Sequence, residues 1–294
     1  MDTHIVHLSD LHIGKNGDRE INRLREIVAR IPTMEPLANK RLVILVTGDV
    51  VDDGAKSQYK EAAELLRPLY EAGHHMLLVP GNHDYGFHGD YAQAKRFKYF
   101  KKAFYGVETI SYPFTRIING HYFIGLNSMK SETGFWDGLL ADGELGSRQI
   151  NDLKGILKSL EDRPPNSKII VYLHHHPFLF PDLSVWEILE EKIFHHLKDG
   201  DDLMHNIKGS VDLLLFGHRH DHLDFSVTTL THKFGIPHIL ASGATTTHCV
   251  EYAMNDSGYR DKEHVLDEGY MGRLIVIGEN GDISHQNLNF PCNS

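Results

Sequence analysis

Hydrophobic residues follow two alternating patterns along this chain. Short, continuous apolar runs are typical of strands that are buried on both faces of a sheet. Between them, apolar residues recur at three- and four-residue spacing, which is typical of amphipathic helices. The alternation of the two patterns predicts an α/β fold. The predicted strands are residues 4–9, 42–46, 76–80, 169–173, 211–216 and 236–241, and the predicted helices are residues 19–31, 55–72, 85–105 and 144–160.

Two hairpins are predicted from Asn-Gly dipeptides that lie between strand-like segments. Residues 114–118 and 121–126 flank Asn119-Gly120, and residues 272–277 and 282–288 flank Asn280-Gly281. Asn-Gly favours the tight turns that join antiparallel strands. The second hairpin therefore places an antiparallel pair near the end of the sequence, in addition to the strands that alternate with helices.

Composition restricts the class of protein and the number of domains. The chain has 294 residues, of which 41% are apolar and 24% are charged, as in ordinary globular proteins. No Pro/Gly/Ser-rich linker divides it, so we expect a single domain over residues 1–294. No apolar run approaches the ~18 residues of a membrane span, and no basic leader precedes the first strand. Cys249 and Cys292 do not form a disulfide framework, so a cytoplasmic protein with no membrane partner is expected.

The net charge disfavours one class of partner. The chain has 30 Lys and Arg residues and 40 Asp and Glu residues, which gives a formal net charge of −10. Non-specific binding to duplex nucleic acid depends on cations that contact phosphates, so nucleic acid is not the expected partner. A small phosphorylated substrate remains compatible, because bound metal ions reverse the local field. The sequence leaves the oligomeric state open.

Side chains with metal-ligand chemistry follow five of the predicted strands. In parallel α/β sheets, the loops after the strands meet at one edge, so we expect these side chains to lie together. All donors are oxygen or nitrogen, which suits Mn, Fe, Zn or Co. They are too numerous for one ion, and two ions with a bridging hydroxide would supply a strong nucleophile at neutral pH. The groups are Asp10/His12, Asp49, Asn82/His83, His174 to His176, and His218/His220.

The ordered blocks Asp-x-His, Gly-Asp, Gly-Asn-His-Asp, His-x-Pro and Gly-His-x-His resemble those of the calcineurin-like metallophosphoesterases. The resemblance implies a four-layer α/β/β/α sandwich of two facing mixed β-sheets, with a dinuclear metal centre at one end. It also implies a ligand set, in which the fourth-block histidine lies two positions before the proline. One ion would be held by Asp10, His12 and His220, the other by Asn82, His175 and His218, and Asp49 would bridge them.

The same resemblance implies two catalytic residues. His83 corresponds to a histidine that contacts the phosphate and protonates the leaving oxygen, and Asp52 corresponds to a carboxylate that orients this histidine. Asp52 also stands where purple acid phosphatases carry a metal-bound tyrosine. Asp53 and Asp84 stand where phosphoprotein phosphatases carry an arginine and a glutamate, so protein phosphatase activity is not expected.

The overall layout is most similar to bacterial class III cyclic nucleotide phosphodiesterases. We therefore expect a phosphodiesterase that acts on small phosphodiesters such as cyclic nucleotides. Alternatives within the family are a phosphomonoesterase, a nucleotide pyrophosphatase or a nuclease, and the alternative outside enzymes is a metal-bound interaction module. The roles of four histidines stay open between pocket and surface: His88, His174, His176 and His222.

Overall fold

A computed structural model of the protein describes residues 1–86, 93–107, 109–129, 143–180, 184 and 197–290. Its strands are β1 (Thr3–Leu8), β2 (Leu42–Thr47), β3 (His75–Val79), β4 (Phe114–Ile118), β5 (His121–Gly125), β6 (Ile169–Tyr172), β7 (Leu213–Phe216), β8 (Asp221–Asp224), β9 (His238–Ala241), β10 (Cys249–Met254), β11 (Arg260–Gly269), β12 (Met271–Ile277) and β13 (Ile283–Asn289). Its α-helices are α1 (Asp18–Arg30), α2 (Lys56–Glu71), α3 (Ala94–Tyr105), α4 (Ser147–Ser159), α5 (Gly200–Ile207) and α6 (Leu230–Phe234). Short 3₁₀ turns cover Ile31–Thr33, His83–Tyr85 and Phe225–Val227.

The described strands form two mixed sheets. The five-stranded sheet has the order β13-β12-β1-β2-β3, in which β1, β2 and β3 are parallel and β12 and β13 are antiparallel to their neighbours. The eight-stranded sheet has the order β11-β10-β8-β9-β7-β6-β5-β4, in which β5, β6, β7 and β9 are parallel. The carboxyl ends of the parallel strands in each sheet therefore lie at a common edge.

The two sheets pack face to face because most of their central strands are apolar on both sides. Alternate residues of a strand point to opposite faces. One set forms the core between the sheets, with Ile5, Val43, Leu45, Ile170, Tyr172 and Leu215 among its members. The other sets bury the outer faces of the sheets, one under α1 to α3 and the other under α4 to α6. The predicted four-layer α/β/β/α sandwich is confirmed.

The predicted hairpins are present, and the first has the expected turn. Asn119 and Gly120 both have positive φ, at 50° and 82°, as a two-residue turn between twisted strands requires. In the second, β12 pairs antiparallel with β13. The aromatic residues of α3 pack on the core of the five-stranded sheet. The helix predicted over residues 85–105 begins only at Ala94, and residues 87–92 lie outside the described part of the chain.

The hydrophobic pattern did not predict three of the strands. β8, β10 and β11 extend the eight-stranded sheet on one side, and none of them contains a continuous apolar run. β11 reads Arg-Asp-Lys-Glu-His-Val-Leu-Asp-Glu-Gly, and it is the edge strand of its sheet. An edge strand that is exposed to water is stabilised by backbone hydrogen bonds to its neighbour, so it does not need a continuous apolar run. No helix in the described part of the chain is long and apolar enough to cross a bilayer.

Candidate metal centre

The backbone at the strand ends adopts an unusual conformation. Five of the expected ligands have positive φ: Asp10 (53°), His12 (41°), Asp49 (49°), His218 (78°) and His220 (60°). The left-handed region costs a non-glycine residue about 1 kcal/mol or more, so such residues are uncommon and cluster at functional sites. Among the residues that the structure describes, only two other non-glycine residues have positive φ. The fold therefore holds this conformation where the chemistry is expected.

The first ligand group consists of Asp10, His12 and His220, whose donor atoms lie within 4.8 Å of one another. His12 Nε2 lies 3.1 Å from His220 Nε2, and Asp10 Oδ1 lies 3.3 Å from His220 Nε2. Burial raises the pKa of the Asp10 carboxyl, but its hydrogen bond with His220 and the charges of His220 and His174 outweigh burial, and the pKa falls to about 2. The group therefore contains an ionised carboxylate and two converging imidazole nitrogens.

The protonation of His12 suits a metal ligand. Its Nδ1 lies 3.3 Å from Asp52 Oδ1, so a neutral ring carries its proton on Nδ1 and leaves a lone pair on Nε2. Burial lowers the pKa of His12, and the hydrogen bond with Asp52 and the charge of Asp49 offset only part of this effect. A carboxylate behind a histidine ring in this way fixes the tautomer of many metal ligands. The donor set of the first group therefore fits a divalent cation.

The second ligand group consists of Asp49, His174 and His218. His174 Nε2 lies 3.3 Å from Asp49 Oδ2, 3.1 Å from His218 Nδ1 and 3.1 Å from Asn82 Oδ1. His174 Nδ1 donates to the carbonyl oxygen of Thr47 at 2.7 Å, which leaves the Nε2 lone pair free in the neutral ring. Burial lowers the pKa of His174, but the charge of Asp49 outweighs it and raises the pKa to about 9. The site thus favours a positive charge at this position.

The structure places His174 beside Asp49, and the centroid of the His175 ring lies 4.4 Å from that of His218. The His175 ring is buried, and its Nδ1 lies 2.7 Å from the hydroxyl oxygen of Ser128. The assignment of His175 as a ligand stays a prediction from the resemblance. The geometry gives the donor position next to Asp49 to His174, whose role the sequence had left open.

Asp49 lies between the two groups. Its Oδ2 is 3.8 Å from His12 Nε2 and 3.3 Å from His174 Nε2, while its Oδ1 accepts a hydrogen bond from the backbone N–H of His83 at 2.9 Å. Burial raises the pKa of Asp49, but the charges of His174, His83 and His12 outweigh burial and hold the pKa well below its usual range. One ionised oxygen therefore faces both groups.

His83 and Asp52 form a third group together with His12. His83 Nδ1 donates to the backbone carbonyl oxygen of Asp52 at 2.8 Å, whereas the Asp52 carboxylate lies 3.5 Å away. The carboxylate of Asp52 is closer to His12, at 3.3 Å. The His83 side chain is 15% exposed, whereas that of His12 is 1% exposed. His83 can therefore meet a substrate, and the main chain of Asp52 contributes more to its orientation than the side chain.

Asp84 supports the centre in a way that the sequence did not reveal. Its buried carboxylate accepts hydrogen bonds from the backbone N–H groups of Gly81, Val50 and Val51 at 2.9, 3.2 and 3.2 Å. Burial and the charge of Asp49 raise the pKa of Asp84 to about 7, although these three hydrogen bonds lower it. Asp84 thereby ties the loop after β3 to the loop that carries Asp49.

Replacing Asp84 with alanine is expected to destabilise the metal-free protein by about 3 kcal/mol or more. The change leaves three buried backbone donors without their acceptor, and each such group costs about 1–3 kcal/mol. Urea unfolding of metal-free chains would measure the difference. Asp53→Ala is the matched control, because Asp53 is half-buried and its carboxylate accepts one long hydrogen bond, from Gln58 at 3.3 Å. Equal losses in the two variants would contradict the role given to Asp84.

A second support comes from the loop after β9. Thr245 pairs with Ser9 through two hydrogen bonds, from Ser9 N to Thr245 Oγ1 at 3.1 Å and from Thr245 N to Ser9 O at 2.9 Å. The hydroxyl of Thr246 donates to the carbonyl oxygen of Leu11. These hydrogen bonds hold the residues on both sides of Asp10 in place. The sequence did not predict this role, because the threonine-rich loop lies far from Asp10 along the chain.

The other three histidines whose roles the sequence left open are His222, His176 and His88. Both ring nitrogens of the buried His222 are engaged, by Asn287 Oδ1 at 3.0 Å and by the backbone N–H of Gly243 at 3.1 Å, so His222 is structural. The buried ring of His176 packs on Phe180, with ring centroids 5.0 Å apart. His88 lies outside the described residues.

Comparison with known proteins defines the class of this chain. A model of the calcineurin-like phosphoesterase family matches residues 3–222, and the chain belongs to this family of phosphoesterases. Two curated relatives agree with this assignment. The 3′,5′-cyclic adenosine monophosphate phosphodiesterase CpdA of Haemophilus influenzae is 24% identical over 233 residues, which cover 75% of this chain and 70% of that protein. A probable cyclic nucleotide phosphodiesterase of Vesicomyosocius okutanii is 24% identical over 238 residues, which cover 76% of this chain and 82% of that protein.

Two solved structures share the fold. A purple acid phosphatase from yellow lupin seeds superposes with a TM-score of 0.57 at 13% identity, over 98% of this chain and 52% of that one. This chain therefore spans about half of the lupin enzyme. The phosphopantetheinyl hydrolase of Mycobacterium tuberculosis superposes with a TM-score of 0.52 at 14% identity, over 83% of this chain and 90% of that one. At these identities the likeness concerns the fold alone.

Proposed function

We propose that this chain is a metal-dependent phosphodiesterase that hydrolyses small phosphodiesters, with cyclic nucleotides as the leading candidates. The observation that carries the proposal is the pair of ligand groups that meet at Asp49. The names of the two curated relatives support the choice of substrate class. The cytoplasm is the proposed location.

We assign each proposed ligand from its distances in the structure. Asp10, His12 and His220 would hold one ion, and Asn82, His174 and His218 the other, with Asp49 shared. The oxygen and nitrogen donors suit Mn, Fe, Zn or Co. When bound, such ions lower the pKa of water and offset the negative charge of a phosphate.

The residues of the chain have distinct tasks in this proposal. Asp10 and Asp49 are buried carboxylates that repel a phosphate, so the substrate would bind only when cations are present. His83 would give a proton from Nε2 to the leaving oxygen, because its Nδ1 is engaged with the carbonyl oxygen of Asp52. Asp53 stands where an arginine would be needed to hold a dianionic phosphate, so a monoanionic diester is the better match.

His174→Ala is expected to lose one of two ions, whereas His175→Ala is expected to retain both. Nε2 of His174 lies 3.3 Å from Asp49 Oδ2, whereas Nδ1 of His175 lies 2.7 Å from the Ser128 hydroxyl. Elemental analysis after reconstitution with Mn²⁺ measures the ion content of both variants. The two replacements delete the same ring from adjacent buried positions, so each is the control for the other. The reverse result would restore His175 as the ligand.

The substrate class is tested by comparing kcat/KM for a bis-aryl phosphate diester with that for the corresponding aryl monoester, for each of the four metals. We expect the diester to be preferred, and 3′,5′-cyclic nucleotides to be hydrolysed by the same preparation. The Asp49→Asn variant, purified identically, controls for contaminating phosphatases. A preference for the monoester with every metal would contradict the proposal and favour a phosphomonoesterase.

A further inference from the structure

A groove of about 900 Å³ lies between α2 and α3, on the outer face of the five-stranded sheet. The volume falls in the range of about 300–1,000 Å³ that is usual for small-molecule sites. Along α2, its lining includes Lys56, Lys60, Ala63, Arg67 and Tyr70, which repeat at spacings of four and three residues and so share one helical face. Lys56 and Tyr70 are fourteen positions apart, which is a helical rise of about 21 Å, so the groove is long and follows the helix.

The groove presents mainly apolar surface. Its lining includes Leu66, Met76 and Leu78. Two tyrosine hydroxyls in the lining are already engaged with the protein, because Tyr59 donates to the carbonyl oxygen of Asp84 and Tyr105 donates to that of Leu78. The lining therefore suits a hydrocarbon chain.

The charged groups of the lining are mostly cations. Lys56, Lys60, Arg67 and Lys102 belong to the lining, together with one carboxylate, that of Glu64. The pairs of Lys60 with Glu64 at 3.9 Å and of Arg67 with Glu71 at 3.6 Å are exposed and therefore weak. Within the described part of the chain, Lys56 and Lys102 form no ion pair. A cationic groove on a chain with a net charge of −10 indicates an anionic ligand.

We propose that this groove binds a long-chain carboxylate of the fatty-acid class. The hydrocarbon chain lies along the groove over Ala63 and Ala103, whose small side chains leave room between the helices. The cations of the lining, Lys56 and Lys102 among them, provide the positive charge that attracts the carboxylate. The site involves none of the metal-binding residues, and it does not depend on the proposed function.

Binding is tested by equilibrium dialysis of the full chain against labelled palmitate below its micellar concentration. We expect one palmitate per chain, with the same affinity in metal-free and metal-loaded protein. Ala103→Phe fills the groove and is expected to abolish binding. The double variant Lys56→Glu/Lys102→Glu leaves the apolar lining intact and is expected to weaken binding about tenfold, from the loss of two exposed charge contacts.

Lys98→Glu is the matched control, because Lys98 is exposed on α3 but does not line the groove. It should bind palmitate as the unmodified chain does. No binding to the unmodified chain, or equal binding by the unmodified chain and Ala103→Phe, would overturn the proposal. If the unmodified chain binds no palmitate and the Ala103→Phe substitution changes its sedimentation coefficient, the groove is an interface between two copies of the chain. The proposal is wrong in that case too. If Ala103→Phe does not fold, the comparison of Lys56→Glu/Lys102→Glu with Lys98→Glu decides, and equal affinities would count against the site.

Discussion

Asp49→Asn is expected to remove both metal ions from the chain together and to lower diester hydrolysis by about 10³-fold or more. Asp49 Oδ2 lies between His12 Nε2 at 3.8 Å and His174 Nε2 at 3.3 Å, so one oxygen serves both ligand groups. The amide has nearly the same shape as the carboxylate but carries no charge. Each ion, when bound, would contribute several kcal/mol to the stabilisation of the transition state, which corresponds to the expected factor.

The measurement combines ion content with rate. Elemental analysis after Mn²⁺ reconstitution should give two ions in the unmodified chain and well below one in the Asp49→Asn variant. His12→Ala is the control, because His12 belongs to the group around Asp10 and should affect mainly one ion. An Asp49→Asn variant that keeps one ion at unchanged affinity would show that Asp49 is not shared. Equal loss of both ions in His12→Ala would show that the two groups do not act separately.

The layers of the fold were predictable because most of the strands are continuous apolar runs. Runs such as residues 42–46 can be buried on both faces only inside a sheet that is covered on both sides. β11 could not be predicted in this way, because its charged residues lie at an edge where the order comes from backbone pairing with β10. The hydrophobic pattern thus reveals the centre of a sheet more readily than its edge.

Strand alternation and motif spacing give different answers for the ligand among the three adjacent histidines. In β6, Ile170 and Tyr172 face the other sheet, and Val171 faces the helices. His174 continues the series of Ile170 and Tyr172 and therefore points to the side where the two sheets meet. Strand alternation thus favours His174 and the motif spacing favours His175, and the ion content of the two alanine variants decides between them.

The close approach of Asp10 and His12 does not follow from their spacing in the sequence. Residues i and i+2 share a side in an extended segment, but both residues have positive φ and are not extended. They meet because backbone hydrogen bonds to Gly48 and Asp49 hold this conformation, at 3.1 and 2.9 Å. Long-range bonds of this kind depend on the assembled sheet, so local sequence cannot reveal them.

His83→Ala is expected to retain both ions and to slow hydrolysis by about 10²–10⁴-fold for a diester with an alkoxide leaving group. The centroid of the His83 ring lies 4.6 Å from that of His12, so His83 is next to the proposed centre. Its side chain is partly exposed, and it belongs to neither of the ligand groups around Asp10 and Asp49. Its Nδ1 proton is held by the carbonyl oxygen of Asp52, so the proton for the leaving oxygen must come from Nε2. Nitrophenolate needs little protonation, so its release should be slowed much less.

The discriminating measurement is the ratio of the two rates in each variant, together with ion content. Asp52→Asn keeps the carbonyl group that holds His83 and removes the charge 3.3 Å from His12, so it should weaken one ion and leave the leaving-group ratio nearly unchanged. His83→Gln is a second control, because it restores a polar side chain without an acid. If the His83→Ala variant loses ions in proportion to its rate, His83 is a ligand or a structural residue. If both leaving groups are slowed equally while both ions remain, His83 binds the phosphate and donates no proton.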